Sequence, residues 1–225
     1  MESNRVGAVT RRSATPALAL LAVAALAASG CGGKTVAVPK DVPPAPTPAS
    51  GAAPWPAPPD PLELARKAGL TPEPAEQLAY HVHAHLDVFV NGEEVVVPAG
   101  IGINIHDPAV HHLQLSGGSD AYGAISPPCA QPCISPLHTH DVTGILHTES
   151  ARTRSNTLGE FFTEWDVRLD RDCVGGYCAP AASILVYVDG DRFRGDPSTI
   201  QLTNHKEIAI VVGTPPQTIP AGFKF

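Results

Sequence analysis

The chain predicts an α+β domain: a mixed β-sheet covering one main helix, with long loops between the elements. Three stretches predict it. Residues 81–90 (HVHAHLDVFV) alternate strictly, with Val82, Ala84, Leu86, Val88 and Val90 on one face and His81, His83, His85, Asp87 and Phe89 on the other. That period is the mark of a half-buried strand, and Asn91-Gly92 supplies a hairpin turn after it. Leu158, Phe161, Phe162 and Trp165 stand at i, i+3, i+4 and i+7, one apolar helical stripe that needs a sheet to cover it. Residues 208–212 (IAIVV) are apolar throughout, as expected of an interior strand.

Before the domain comes an export signal over 1–30. Arg5, Arg11 and Arg12 precede the apolar run ALALLAVAALAA at 17–28, which is too short to span a bilayer as a permanent helix. Ala27-Ala28-Ser29-Gly30 then lead into Cys31. This resembles a bacterial lipoprotein signal, in which Cys31 becomes the lipidated mature N-terminus; Ala28 stands where Leu or Val is usual. The plainer alternative is a secretory signal cleaved nearby. Residues 31–61 carry ten of the prolines from Pro39 to Pro61, a composition that favours extended conformations and suggests a tether. The expected location is the outer face of a cell membrane, with the lipid as anchor.

The domain is expected over 62–225, with two short leading helices. Asp60 and Pro61 suit the N-cap and first position of one, which Gly69 ends. Thr71-Pro72 repeats the signal for a second over 73–80. After the alternating strand, 93–98 reads as its return partner and Ile101, Ile103 and Ile105 as further extended chain. A long loop over 106–136 follows. Thr157-Leu158-Gly159-Glu160 fits a capping box at the start of the main helix. Residues 184–188 (ILVYV) with Asp189-Gly190 read as another strand and turn. This order resembles a β-grasp (ubiquitin-like) arrangement.

The formal net charge of −7 becomes −9 once the three arginines and one glutamate of residues 1–30 are removed. That argues against a nucleic-acid partner, which calls for a basic patch, and suits a protein that attracts cations. Cys129, Cys133, Cys173 and Cys178 form an even set in an exported chain, which reads as two disulfides. The spacings CAQPC and CVGGYC make the local pairs plausible, though four cysteines allow three pairings. The only methionine is Met1, so a Met-rich copper(I) site is excluded.

The chemistry concentrates in residues 136–150, PLHTHDVTGILHTES. His138 and His140 are two apart, so on extended chain both rings point to one side. His147 and Glu149 follow, and His83 and His85 form a second such pair. Neutral imidazole is the commonest protein ligand for a transition metal. We therefore expect a metal site built from His83, His85, His138, His140 and His147, with copper or zinc the favoured ions; carboxylate from Asp87, Asp141 or Glu149 would shift the balance to iron or manganese. Five histidines exceed a tetrahedral shell, so at least one should stand behind the ligands. His106, His111, His112 and His205 carry no such pattern.

The segments HAHLDVFVNG, VPAGIGIN, CISPLHTHDVTGILHTES and TLGEFF together resemble a family of uncharacterised exported bacterial and archaeal proteins. The likeness covers roughly 81–170 and 184–213, with HTHD…H its most specific part, and implies no activity. Three functions follow from the residues. The first is a membrane-tethered lipoprotein that binds a transition metal as scavenger, carrier or structural element. The second is a metal-dependent hydrolase or oxygen-using enzyme with an open coordination position. The third is an interaction module of β-grasp type without metal. No GxSxG elbow, phosphate loop or dinucleotide fingerprint is present.

Overall fold

One long strand organises the sheet, and its alternating side chains decide what each face does. A computed structural model of the protein describes residues 36–225; the expected signal and Cys31 lie outside the described residues. The elements run α1 (Pro61–Lys67), β1 (Tyr80–Val90), β2 (Glu93–Glu94), β3 (His111–Gln114), β4 (Asp120–Gly123), β5 (Leu137–His138), β6 (Ile145–Ser150), α2 (Leu158–Glu164), β7 (Cys173–Val174), β8 (Tyr177–Cys178), β9 (Ile184–Val188), β10 (Asp191–Phe193) and β11 (Lys206–Val212). Seven strands form a mixed sheet in the order β10-β9-β11-β1-β6-β5, with β2 beside β1. β1 lies parallel to β11 and antiparallel to β6 and β2. The fold is α+β, as the sequence predicts.

Strict alternation sends Ala84, Leu86 and Val88 of β1 to the same core as Ile208, Ile210 and Val212 of β11 and Leu146 of β6. Leu158, Phe161, Phe162 and Trp165 complete that core; each is at most 1% exposed. The helix starts where the capping box places it: Thr157 accepts from the Glu160 amide, and the Glu160 side chain accepts from the Thr157 amide. Both hairpin turns form with positive φ at Asn91-Gly92 and Asp189-Gly190, the twist that two-residue hairpins favour. The local cysteine pairs are both bonded, Cys129–Cys133 and Cys173–Cys178.

Several elements depart from expectation. Residues 73–80 form no helix. The Glu73 amide donates to the Ile134 carbonyl at 2.7 Å, and the amides of Cys133 and Ile134 donate back to Glu73 O. Pro74 biases Glu73 toward extended backbone, which this ladder uses. Residues 101–105 turn rather than extend, because Gly100 and Gly102 both adopt positive φ. The return strand shrinks to Glu93–Glu94. The loop over 106–136 contains the β3–β4 hairpin and a small core around Ile103, Ile134 and the first disulfide.

The proline-rich stretch from residue 36 onward is laid against the domain instead of standing off it. Ala45 and Trp55 are buried in the main core. The Trp55 ring meets Trp165 edge-on at 5.7 Å, and the Trp165 indole N–H donates to the Trp55 carbonyl. A stiff segment has little conformational freedom to lose, and it is held by the Trp55 indole, by both backbone groups of Ala45 on the Asn91 side chain and by Gly51 O on the Gly176 amide. Among the described residues, no helix is long and apolar enough to cross a membrane.

The helix and its cap give a graded prediction. Thr157→Ala removes one cap and should cost about 1 kcal/mol, lowering Tm by about 2–4 °C. Phe161→Ala leaves a cavity and should cost about 3–5 kcal/mol. Thermal and urea unfolding measure both; equal effects would contradict this division.

Candidate metal centre

The second face of the sheet carries the histidines. Strand pairing sets His83 opposite His147, His81 opposite Glu149, and His138 opposite His147. Three neighbouring strands thus place His81, His83, His147, Glu149 and His138 on one face. His140 joins them just beyond β5. His138, His140, His147 and Glu149 can each bring one ligand atom within 4.8 Å of the others, and His81, His83 and His147 form a second such group.

The HTH segment is held by what lies between its histidines. Thr139 is fully buried on the opposite side. Its backbone pairs with Gly100 and Ile101, while its hydroxyl donates to Pro98 O at 2.7 Å and accepts from the Ile101 amide. Gly123 backs His140 closely: a Cβ there would sit 2.6 Å from His140 Nδ1.

Two further bonds fix the tautomers. Nδ1–H of His138 donates to Ser135 O at 2.8 Å, and Nδ1–H of His140 donates to Tyr122 O at 2.6 Å. A carbonyl can only accept, so in each neutral ring Nε2 is left with its lone pair. Those two Nε2 atoms face each other at 3.2 Å. Two lone pairs at that distance repel unless a cation stands between them. Zinc bound by nitrogen at 2.0–2.1 Å in a tetrahedron would separate its ligands by about 3.3 Å. Backbone carbonyls that hold Nδ1–H and leave Nε2 free are the usual support of metal-bound histidine.

Glu149 completes the group. Its carboxylate lies 3.9 Å from His138 Nε2, 3.8 Å from His140 Nε2 and 3.5 Å from His147 Nδ1. Glu149 Oε2 and His147 Nδ1 are buried without a hydrogen-bond partner, a costly state that a bound cation would relieve.

Electrostatics favour ligand-ready forms. Burial, then His140, pushes His138 well below the ordinary imidazole value. Burial also lowers His147. Burial followed by His147 and His81 takes His83 down to about 4. Burial opposes the ionisation of Glu149, but the neighbouring His140 and His147 rings and the charges of His138 and His140 hold it well below the carboxylate range. His140 is the exception: burial lowers it, yet Glu149 and the Tyr122 carbonyl outweigh this and raise it. A proton on His140 can therefore take the cation's place and compete with a metal.

The group is also reachable. A pocket of about 400 Å³ opens over His81, His83, His140, His147 and Glu149, rimmed by Leu78, Leu113 and Tyr122.

Of the five expected ligands, the structure brings His138, His140 and His147 together and sets His83 beside them with His81. His85 is placed elsewhere. Two residues further along β1, about 6.6 Å by strand rise, it faces Glu207 of β11. There its Nδ1 lies 3.0 Å from Glu207 Oε2 and 3.5 Å from Asp87, its Nε2 donates to Thr143 O, and Phe223 stacks on its ring. Asp141 turns away to hold the Thr143 amide and hydroxyl. His106, His111, His112 and His205 are exposed and outside these groups. His81 is absent from the five expected ligands, although it shares the parity of His83. Sequence reasoning overlooked Glu207, whose signal was its alternation with Ala209 and Val211.

His83 gives a pH prediction. With a folded value near 4 against 6.5 unfolded, its contribution to stability is present above pH 6.5 and lost as pH falls toward 4. The Tm difference between wild type and His83→Asn should therefore shift against wild type across that window, and the His83 ring should titrate near pH 4 by NMR. A midpoint at 6.5 would contradict the burial described. No protein-family model, curated protein or solved structure matches this chain.

Proposed function

We propose that this chain is an exported, lipid-anchored protein that binds a transition metal through His138, His140, His147 and Glu149. The observation that carries the reading is the pair of imidazoles whose Nδ1–H groups are both committed to carbonyls while their Nε2 atoms face each other at 3.2 Å. Three nitrogens and one oxygen suit Zn²⁺ or Cu²⁺. The anchoring rests on residues 1–31, whose basic start, short apolar run and cysteine have the lipoprotein pattern. The interaction module without metal is disfavoured, since five of the ten histidines converge on one face instead of dispersing. The β-grasp-like topology remains our proposal for the fold, supported by the core that α2 shares with β1 and β11.

A carrier or scavenger is the preferred role, because His140 and His147 are partly exposed and an ion held there can exchange. The open pocket also favours a second reading, a metal-dependent enzyme with a free coordination position. Azide added to the Co²⁺-loaded protein separates the two: a shifted visible spectrum reports an open position, and an unchanged one favours a closed site.

The metal reading is tested by titrating purified protein with Zn²⁺ and Cu²⁺. Tight uptake should release protons, since the ion displaces one from His140. His138→Ala/His140→Ala should weaken this step by more than the roughly 10–100-fold that loss of a supporting partner costs. Unchanged tight binding in that variant would refute the assignment.

A further inference from the structure

We propose that the same face holds a second metal ion beside the first, bound by His81 and His83, with Glu149 shared between the two. This rests on the metal reading above and extends it. The donors on this face outnumber one shell: five imidazoles and a carboxylate stand in a continuous row, while a tetrahedral ion takes four ligands.

The row has two ends. At one end are the Nε2 atoms of His138 and His140. At the other, His81 Nε2 and His83 Nε2 lie 2.8 Å apart, again close to the edge of a coordination shell. His147 stands between them, its ring centroid 4.5 Å from that of His83 and 4.4 Å from that of His140.

Glu149 spans the ends. Its Oε1 lies 3.1 Å from His81 Nε2, and its Oε2 lies 3.9 Å from His138 Nε2 and has no hydrogen-bond partner. One carboxylate directed at both ends is the arrangement that two-metal sites use to hold ions about 3.5–4 Å apart. Two cations so close repel each other. Glu149 and Glu76 both act on His140 electrostatically, and Glu76 lines the pocket above it, so negative charge is at hand. The second ion also lies at the wetter end, where His81 is 39% exposed, and water can fill its shell and screen the repulsion. It binds after the first and more weakly.

Cu²⁺ titration of the purified protein, followed by electron paramagnetic resonance and metal analysis, tests this. Wild type should take up two equivalents in two steps. The spectrum of the first should be that of an isolated ion, and the second should bring dipolar broadening. His81→Asn/His83→Asn, which leaves His138, His140, His147 and Glu149 in place, should keep the tight step and lose the second equivalent with its broadening. Saturation at one equivalent overturns the proposal. So does a second equivalent that survives in His81→Asn/His83→Asn without coupling, which would place that ion at His85, Asp87 and Glu207. Loss of the tight step in His138→Ala/His140→Ala is a separate result, so failure of the first site and failure of the second are told apart.

Discussion

The register of β1 between β6 and β11 is the constraint on which the rest depends. Side chains along a strand alternate, so a slip of one residue would exchange the two faces of β1 entirely. In the observed register Ala84, Leu86 and Val88 meet the apolar residues of β11 and α2, and His83 meets His147 at the same time. A slipped β1 would drive three histidines and Asp87 into the core, where unpaired polar groups are costly. Burial of the apolar face therefore fixes the geometry of the polar one. The histidines need no driving force of their own to be aligned.

The polar face is not uniformly wet. Beyond Asp87 it turns apolar, with Phe89, Ala209 and Val211 buried together with Tyr187 and Ile219. Val36 and Val38 pack there from the N-terminal side, and the C-terminal segment lays Phe223 on His85 and Phe225 beside His205. These segments thus cover one half of the face, with Phe225 also stacked 6.3 Å from His83, while His81, His83, His140 and His147 line the open pocket. This division also separates His85 from its neighbours. Held between Thr143 O and Glu207, its imidazole is raised despite burial, and beside Glu207 the buried Asp87 carboxyl is raised to about 7. Asp87 Oδ2 is buried there without a hydrogen-bond partner, and His85, Asp87 and Glu207 form a ligand set of their own, apart from the cluster around Glu149.

Much of this was legible in the sequence where a single period carries the information. The alternation of 81–90, the stripe of 158–165 with its capping box, both glycine hairpins and the HTH pair all appear as their spacing predicts. What escaped depended on partners far away in the chain. Glu73 is extended because Ile134 pairs with it, and Trp55 is buried because Trp165 waits for it. The distinction between His83 and His85, one position apart in the alternation, is made by where β6 and β11 flank β1. Glu164 shows the same limit: it sits on a helix read correctly, yet it is fully buried with its carboxyl held well above the usual range by that burial.

The cluster also makes electrostatic demands that no internal rearrangement meets. Glu149 stays ionised in a buried position because imidazoles surround it; burial and neighbouring rings press His138 and His147 toward neutrality, while Glu149 and the Tyr122 carbonyl draw a proton to His140. Protonating one ring satisfies Glu149 but worsens the others, since His138, His140 and His147 lie within 5.5 Å of one another by ring centroid. Rotating His138 or His140 away would break an Nδ1–H bond to a carbonyl in a packed site. A cation placed among the Nε2 atoms answers every demand together: it accepts the lone pairs, neutralises Glu149 and leaves the carbonyl bonds intact. A face assembled only to be polar would need neither the committed Nδ1–H groups nor the unpartnered oxygen of Glu149, and both are present.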